Sequence, residues 1–186
     1  MPRTSDKKER LLESAKDLIH KQGFNQTSLA DIAQDSGVPL GNVYYYFRTK
    51  EEIGLAVISE HEANLKALLH GFVQNEPDPR QRILLYLNFI IEIKEITAAS
   101  GCPIASLCQE LDKDRSTLSE KIDAILKFEL QWVTEQFEQM GQSQSIGHGQ
   151  HVIVAVCGTG LLANALNDPE VVVNEIGRLK VWVEAM

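Results

Sequence analysis

The sequence predicts an all-α protein of about nine helices, in which a short N-terminal helix-turn-helix unit precedes a larger helical bundle. Three observations lead there. Every strong apolar periodicity has the i, i+3, i+4, i+7 spacing of a buried helix face, and no segment alternates convincingly as a strand. Two short helical patterns meet at a tight glycine-containing turn directly after a longer first helix. The 186 residues, 44% apolar and 24% charged, describe a soluble globular chain, long enough to bury a core without disulfide or metal staples.

The first helix carries Leu11, Leu12, Ala15, Leu18 and Ile19 on one face, starts near Thr4 to Asp6 and stops at Gly23. Thr27 and Ser28 open the second, with Ser28-x-x-Asp31 as a capping box and Leu29, Ile32 and Ala33 as its apolar face before Gly37. Gly37, Val38 and Pro39 form a turn. Pro39 is placed in the first turn of the third helix, whose buried stripe is Val43, Tyr44 and Phe47. Another capping box, Thr49-x-x-Glu52, opens a longer fourth helix running to about Gly71. After Pro77 and Pro79, residues Arg80 to Ala98 read as one long, mostly buried helix, broken by Gly101 and Pro103. Pro103 restarts a helix with Ile104, Leu107, Cys108 and Leu111, and the next runs from about Ser116 to Met140. Gly141 to Gly147 is the most loop-like stretch, the eighth helix spans about His148 to Leu166, and the ninth follows Asn167, Asp168 and Pro169 to the C-terminus.

Charge divides the chain. The net charge is −8, yet residues 1–50 carry +2 and the remaining 136 carry −10. The first part can approach a polyanion; the second is repelled by one and must face away. Three cysteines, Cys102, Cys108 and Cys157, form neither a disulfide framework nor a zinc motif and point to a reducing compartment. The N-terminus has no apolar signal core, and the apolar stretch Val152 to Ala163 falls short of the roughly 20 residues of a membrane span, so the expected location is cytoplasmic, with no membrane partner.

Two short helices on a longer one form the geometry that places the second of the pair in a DNA major groove. The residues sharpen this: Thr27, Ile32-Ala33, Gly37-Val38, Gly41, Val43-Tyr44, Phe47 and Lys50 stand at the spacing of the N-terminal signature of the TetR family of bacterial repressors, which residues 8–58 strongly resemble. Ser36, Pro39 and Ile53 depart from that pattern, where Ala, Ser or Thr, and Leu are usual. The resemblance implies a DNA-binding domain over residues 1–50, a linking helix over about 50–71, and an effector-binding and dimerisation domain over 51–186. It makes residues 39–46 the recognition helix. Pro39 and Leu40 can meet thymine methyl groups, Gly41 admits close backbone approach, and Asn42 can hydrogen-bond adenine or phosphate. Tyr44, Tyr45 and Lys50 are assigned to phosphate, as are Thr27 and Ser28 at the start of the second helix. Buried core roles for Tyr44 and Phe47, and plain capping by Thr27, Ser28 and Thr49, are the competing assignments.

The acidic part is read mainly from its own chemistry. The eighth helix is apolar nearly all round and must be covered on all sides. By the resemblance, the last two helices pair with their copies in a symmetric four-helix interface, and two recognition helices about 34 Å apart read successive major grooves of double-stranded operator DNA. The Gly-Cys…Leu-x-x-Glu-Leu stretch from Gly101 to Leu111 resembles a segment in a subset of TetR-like regulators, some of which sense electrophiles through that cysteine. A helix N-terminus beside Cys102 favours its thiolate. The competing reading makes Cys102 a small apolar cap, and a simpler effector pocket is assigned to Phe89, Ile93, Cys108, Phe128 and Trp132. His20, His61, His70, His148 and His151 are read as surface residues, and no metal or cofactor is expected.

These readings converge on a ligand-responsive transcriptional regulator, a repressor released from a palindromic operator by a small molecule or by thiol modification. A helical ligand-binding protein or enzyme retaining a non-functional DNA-binding fold is the alternative; GxSxG, HExxH and P-loop motifs are all absent from the sequence. A DNA-architectural protein is disfavoured by the acidic 136 residues.

Overall fold

A computed structural model describes residues 4–111 and 116–186, and every element among them is a helix. In chain order these are α1 (Thr4–Gln22), α2 (Leu29–Ser36), α3 (Leu40–Tyr46), α4 (Lys50–Asn75), α5 (Pro79–Glu92), α6 (Lys94–Ser100), α7 (Pro103–Leu111), α8 (Thr117–Gln139), α9 (Ser145–Leu166) and α10 (Glu170–Glu184). The expected rod from Arg80 to Ala98 is interrupted at Ile93, whose ψ of 13° leaves the helical range and separates α5 from α6. No Gly or Pro marks this break. The expected loop at residues 141–147 is also shorter, because α9 already begins at Ser145.

The caps explain most boundaries. Ser28 and Asp31 form the reciprocal box that starts α2, and Gly37, at φ 64°, ends it in the left-handed conformation. Thr49 Oγ1 accepts the Glu52 N–H at 3.2 Å, but Glu52 returns its bond to the Arg48 N–H, one residue earlier than a capping box requires. Asp78 accepts from the Arg80 N–H ahead of α5, with Pro79 as its first residue.

The chain forms two compact units, Met1–Ala63 with Ser106–Asp123, and Asn64–Ala105 with Ala124–Met186. Besides residues 1–50, the first unit takes in the start of α4, most of α7 and the start of α8. Its core is built from Leu11, Ala15, Ile19, Ile32, Val43, Phe47, Ile53 and Val57, with Leu107, Leu111, Leu118 and Ile122. Ser14 donates to Asp35 Oδ2 at 2.7 Å, and Arg10 donates to the Ser36 carbonyl, fixing α1 against the end of α2.

The second unit packs α10 on α5 and α9, and α6 on α9. Ile83, Leu87, Val133, Phe137, Val152, Ala163, Val172, Ile176 and Val183 are fully buried there. By length and composition alone α9, 22 residues long with an apolar stretch of mean hydropathy 1.4, meets the measure of a membrane-crossing helix, a measure that the core helix of a soluble protein meets as well. It is not evenly covered: Val152, Ile153, Val156 and Ala163 are buried, whereas Val154, Leu161, Leu162 and Leu166 are exposed.

Candidate nucleic-acid interface

The helix-turn-helix is held by a few contacts that leave one surface open. Val43 and Phe47 anchor α3 in the core of the first unit. Five positions of the same helix region remain outside: Pro39, Leu40, Gly41, Tyr44 and, at 77% exposure, Tyr45. Tyr44 is 52% exposed, so its expected place in the buried stripe is corrected; it stands one residue, about 100°, from Val43 on a seven-residue helix. Pro39 precedes α3 as its N-cap rather than lying in its first turn, and makes no side-chain cap bond. Asn42 is half-buried beside them. The Tyr45 ring is steadied edge-on against Tyr46, with centroids 5.0 Å apart.

The start of α2 lies on an exposed surface, and its expected contacts differ in kind. Ser28 is exposed and its hydroxyl is engaged with Asp31. Hydrogen bonds from the Ser28 side chain and backbone hold the Asp31 carboxyl below the usual carboxylate range. Thr27 is only 1% exposed; its hydroxyl donates to the Gly23 carbonyl at 2.7 Å and accepts from Gln22 Nε2 at 3.2 Å, which makes it a lock within the loop. Lys50 Nζ donates to the Asn25 carbonyl at 2.9 Å and lies 4.5 Å over the Phe24 ring, so its cation is held close to the α2 N-terminus. The geometry thus presents apolar and aromatic groups on α3 and, four residues beyond its end, a lysine held against the loop before α2, which is chemistry for base edges and phosphates.

The six residues assigned to effector sensing are not gathered in one unit. Cys108 belongs to the first, and Phe89, Ile93, Cys102, Phe128 and Trp132 to the second. Ile93 caps the end of α5, and Phe128 lies under Lys66 with the ammonium 5.3 Å from its ring. Trp132 is buried, with its ring 6.4 Å from Phe72 and 6.1 Å from Tyr86, and its Nε1–H has no hydrogen-bond partner. Next to it Tyr86 donates to Glu129, a buried pair that the sequence reading missed. Cys102 precedes α7 as expected, yet burial pushes its thiol up, and backbone hydrogen bonds from Ala105 and Ile104 only partly oppose this. That corrects the expectation of a thiolate favoured by the helix N-terminus: desolvation wins. His148 and His151 are not simply solvated either, since both pack on the Trp182 ring, at 5.4 and 4.8 Å.

Comparison with known proteins agrees with this geometry. Residues 11–57 match the family described as bacterial regulatory proteins, tetR family. The chain is 28% identical over 182 residues to an HTH-type transcriptional regulator in the lacX 3' region of Lactococcus lactis, covering 95% of this chain and 93% of that protein. It is 32% identical over 108 residues to the HTH-type transcriptional repressor NemR of Escherichia coli, covering 57% of this chain and 54% of NemR. Among solved structures, a TetR transcriptional regulator from Legionella pneumophila superposes with a TM-score of 0.84 at 22% identity, over 100% of this chain and 97% of its own. The reduced form of E. coli NemR superposes with a TM-score of 0.79 at 24% identity, over 94% and 95%. Sequence signature, helix-turn-helix geometry and the family match together identify residues 11–57 as the N-terminal domain of the TetR family of bacterial regulatory proteins, in a chain whose relatives are HTH-type transcriptional regulators.

Proposed function

We propose that the protein is a homodimeric, sequence-specific repressor, released from a palindromic operator by a small-molecule effector or by thiol modification. The observation that carries the DNA reading is the open face of α3, where Leu40, Tyr44 and Tyr45 are exposed although large and aromatic or apolar. Natural surfaces rarely leave such groups together without a partner. Tyr45 and Lys50 take phosphate, and Leu40 and Pro39 take base edges.

The homodimer is supported by α9 and α10. Val154, Leu161, Leu162 and Val181 are exposed, and an open groove of about 420 Å³ is lined by α9 and α10 residues including Gly158, Leu162 and Arg178. A β-carbon on Gly158 would meet nothing within 4 Å, so the missing side chain serves no packing inside this chain and suits close approach of a second copy. An effector site in the second unit is supported by the buried, unpartnered Trp132 Nε1–H, which an acceptor group on a small molecule would satisfy. The thiol arm is supported by the likeness to NemR, whose solved structure is described as its reduced form. We read the chain as non-enzymatic and as working in the cytoplasm.

The deciding experiment is selection of genomic fragments by the purified protein at about physiological salt, followed by sequencing of the retained DNA. One enriched near-palindrome is expected, with adjacent genes pointing to the effector. Retention without sequence preference, despite a folded dimer, would overturn the reading.

A further inference from the structure

The Gly-Cys…Leu-x-x-Glu-Leu stretch places a carboxylate where DNA binding alone gives no reason for one. Glu110, in the last turn of α7, accepts the Phe24 N–H on Oε2 at 2.8 Å and the Asn25 N–H on Oε1 at 2.6 Å. Two successive backbone donors on one carboxylate make a two-point, charge-assisted grip. The loop is shaped for it. Gly23 has a φ of 88°, and a β-carbon there would stand 3.0 Å from Glu110 Oε2, so both the backbone and the approach of the carboxylate call for glycine.

The same few residues are fixed from their other sides. The Asn25 carbonyl is taken by Lys50 Nζ, the Phe24 ring lies under that ammonium, and a β-carbon at Gly54 would come within 2.6 Å of the ring. Thr27 bonds back to the Gly23 carbonyl. The pinned loop leads straight into Ser28, the N-cap of α2, and it holds Lys50, the first residue of α4. A negative charge on a unit that approaches a polyanion opposes binding, so the grip on the loop, and not electrostatics, accounts for Glu110.

We propose that Glu110 is a positioning residue for operator binding: from α7 it holds the loop before α2, and with it Lys50, in the arrangement that reads DNA. This rests on the reading of the chain as an operator-binding regulator.

The test compares wild type with Glu110→Gln, in which one acceptor is kept and the other becomes a donor facing an N–H. Hydrogen exchange at the Phe24 and Asn25 amides, without DNA, is expected to quicken at least tenfold, while the thermal midpoint of the whole protein stays close to wild type. Affinity for the selected operator fragment falls about tenfold, as expected for a lost charge-assisted bond, while affinity for a non-specific fragment is unchanged or tighter because a negative charge has gone. Unchanged exchange, unchanged operator affinity, or an equal loss on both fragments overturns the positioning role. Should Glu110→Gln not fold, Glu110→Asp, which keeps the charge and shortens the reach, supplies the same comparison. If wild type selects no operator, the regulator reading fails and the positioning role falls with it, while the exchange result still decides whether Glu110 holds the loop.

Discussion

Tyr86 donates its hydroxyl proton to Glu129 Oε1 across 2.8 Å, with both side chains buried in the second unit. Burial pushes the Glu129 carboxyl up, the Tyr86 hydrogen bond opposes that rise, and burial also drives the Tyr86 hydroxyl well up. The folded chain therefore holds the Glu129 proton more tightly than the unfolded chain does. The resulting stability is complete below the unfolded carboxylate range and is lost as pH rises through the folded value. Glu129→Gln keeps an acceptor for Tyr86 and has no proton to lose. It should match wild type at and below the ordinary carboxylate range, about pH 4, and become the more stable of the two as pH rises beyond that range. Thermal melts across that range check this, and an equal shift at every pH would contradict it.

Tyr45 contributes little to the core, so its removal separates binding from folding. Tyr45→Ala should change stability by no more than about 0.5 kcal/mol. Operator affinity should fall about tenfold, the scale of one lost hydrogen bond to a charged group. Lys50→Ala should also flatten the salt dependence of binding by about one unit of slope, as for one lost phosphate contact. Wild-type affinity in both variants would remove these contact assignments.

Cys102 carries the prediction for thiol chemistry. Cys102→Ser should abolish any loss of operator binding on exposure to oxidant or electrophile, while Cys108→Ser and Cys157→Ser retain it. Since burial pushes the Cys102 thiol up, its alkylation should be slow at neutral pH and quicken as pH rises. A response that survives Cys102→Ser would place sensing elsewhere.

The exposed face of α9 gives the prediction for assembly. Val154→Glu with Leu161→Glu alters two side chains that are 69% and 61% exposed in the single chain, so folding should be spared. Sedimentation at micromolar concentration should show a dimer for wild type and a monomer for the variant, with operator binding weakened accordingly. A variant that stays dimeric would move the interface off this face.

Local chemistry was the legible part of the sequence. Ser28, Asp31, Gly37 and Pro103 announce their helix boundaries because caps and turns involve neighbours along the chain. Periodicity placed Val43 and Phe47 inside correctly but put Tyr44 with them, since a seven-residue helix is too short for spacing to separate adjacent faces. Thr27 looked like a phosphate contact because a cap-like hydroxyl carries no sign of how deeply its loop is packed. Partners far apart in sequence were invisible: Glu110 meets Phe24 across 86 positions, and Tyr86 meets Glu129 across 43. Such pairs depend on how helices stack, which the amphipathic pattern of each helix does not specify.

The path of the chain between its units limits how such a protein can be rebuilt. Three helices, α4, α7 and α8, pass from one unit to the other without a loop at the boundary. The DNA-reading head is accordingly not a cassette. A gene fragment ending at Ala63 would encode α1, α2 and α3 yet omit Glu110, which grips Phe24, and Leu118, which a β-carbon at Gly54 would meet at 3.3 Å. Recombination that exchanges heads between relatives must carry the stretch from Ser106 to Asp123 along with the N-terminal segment, or leave the transplanted head without part of its own core.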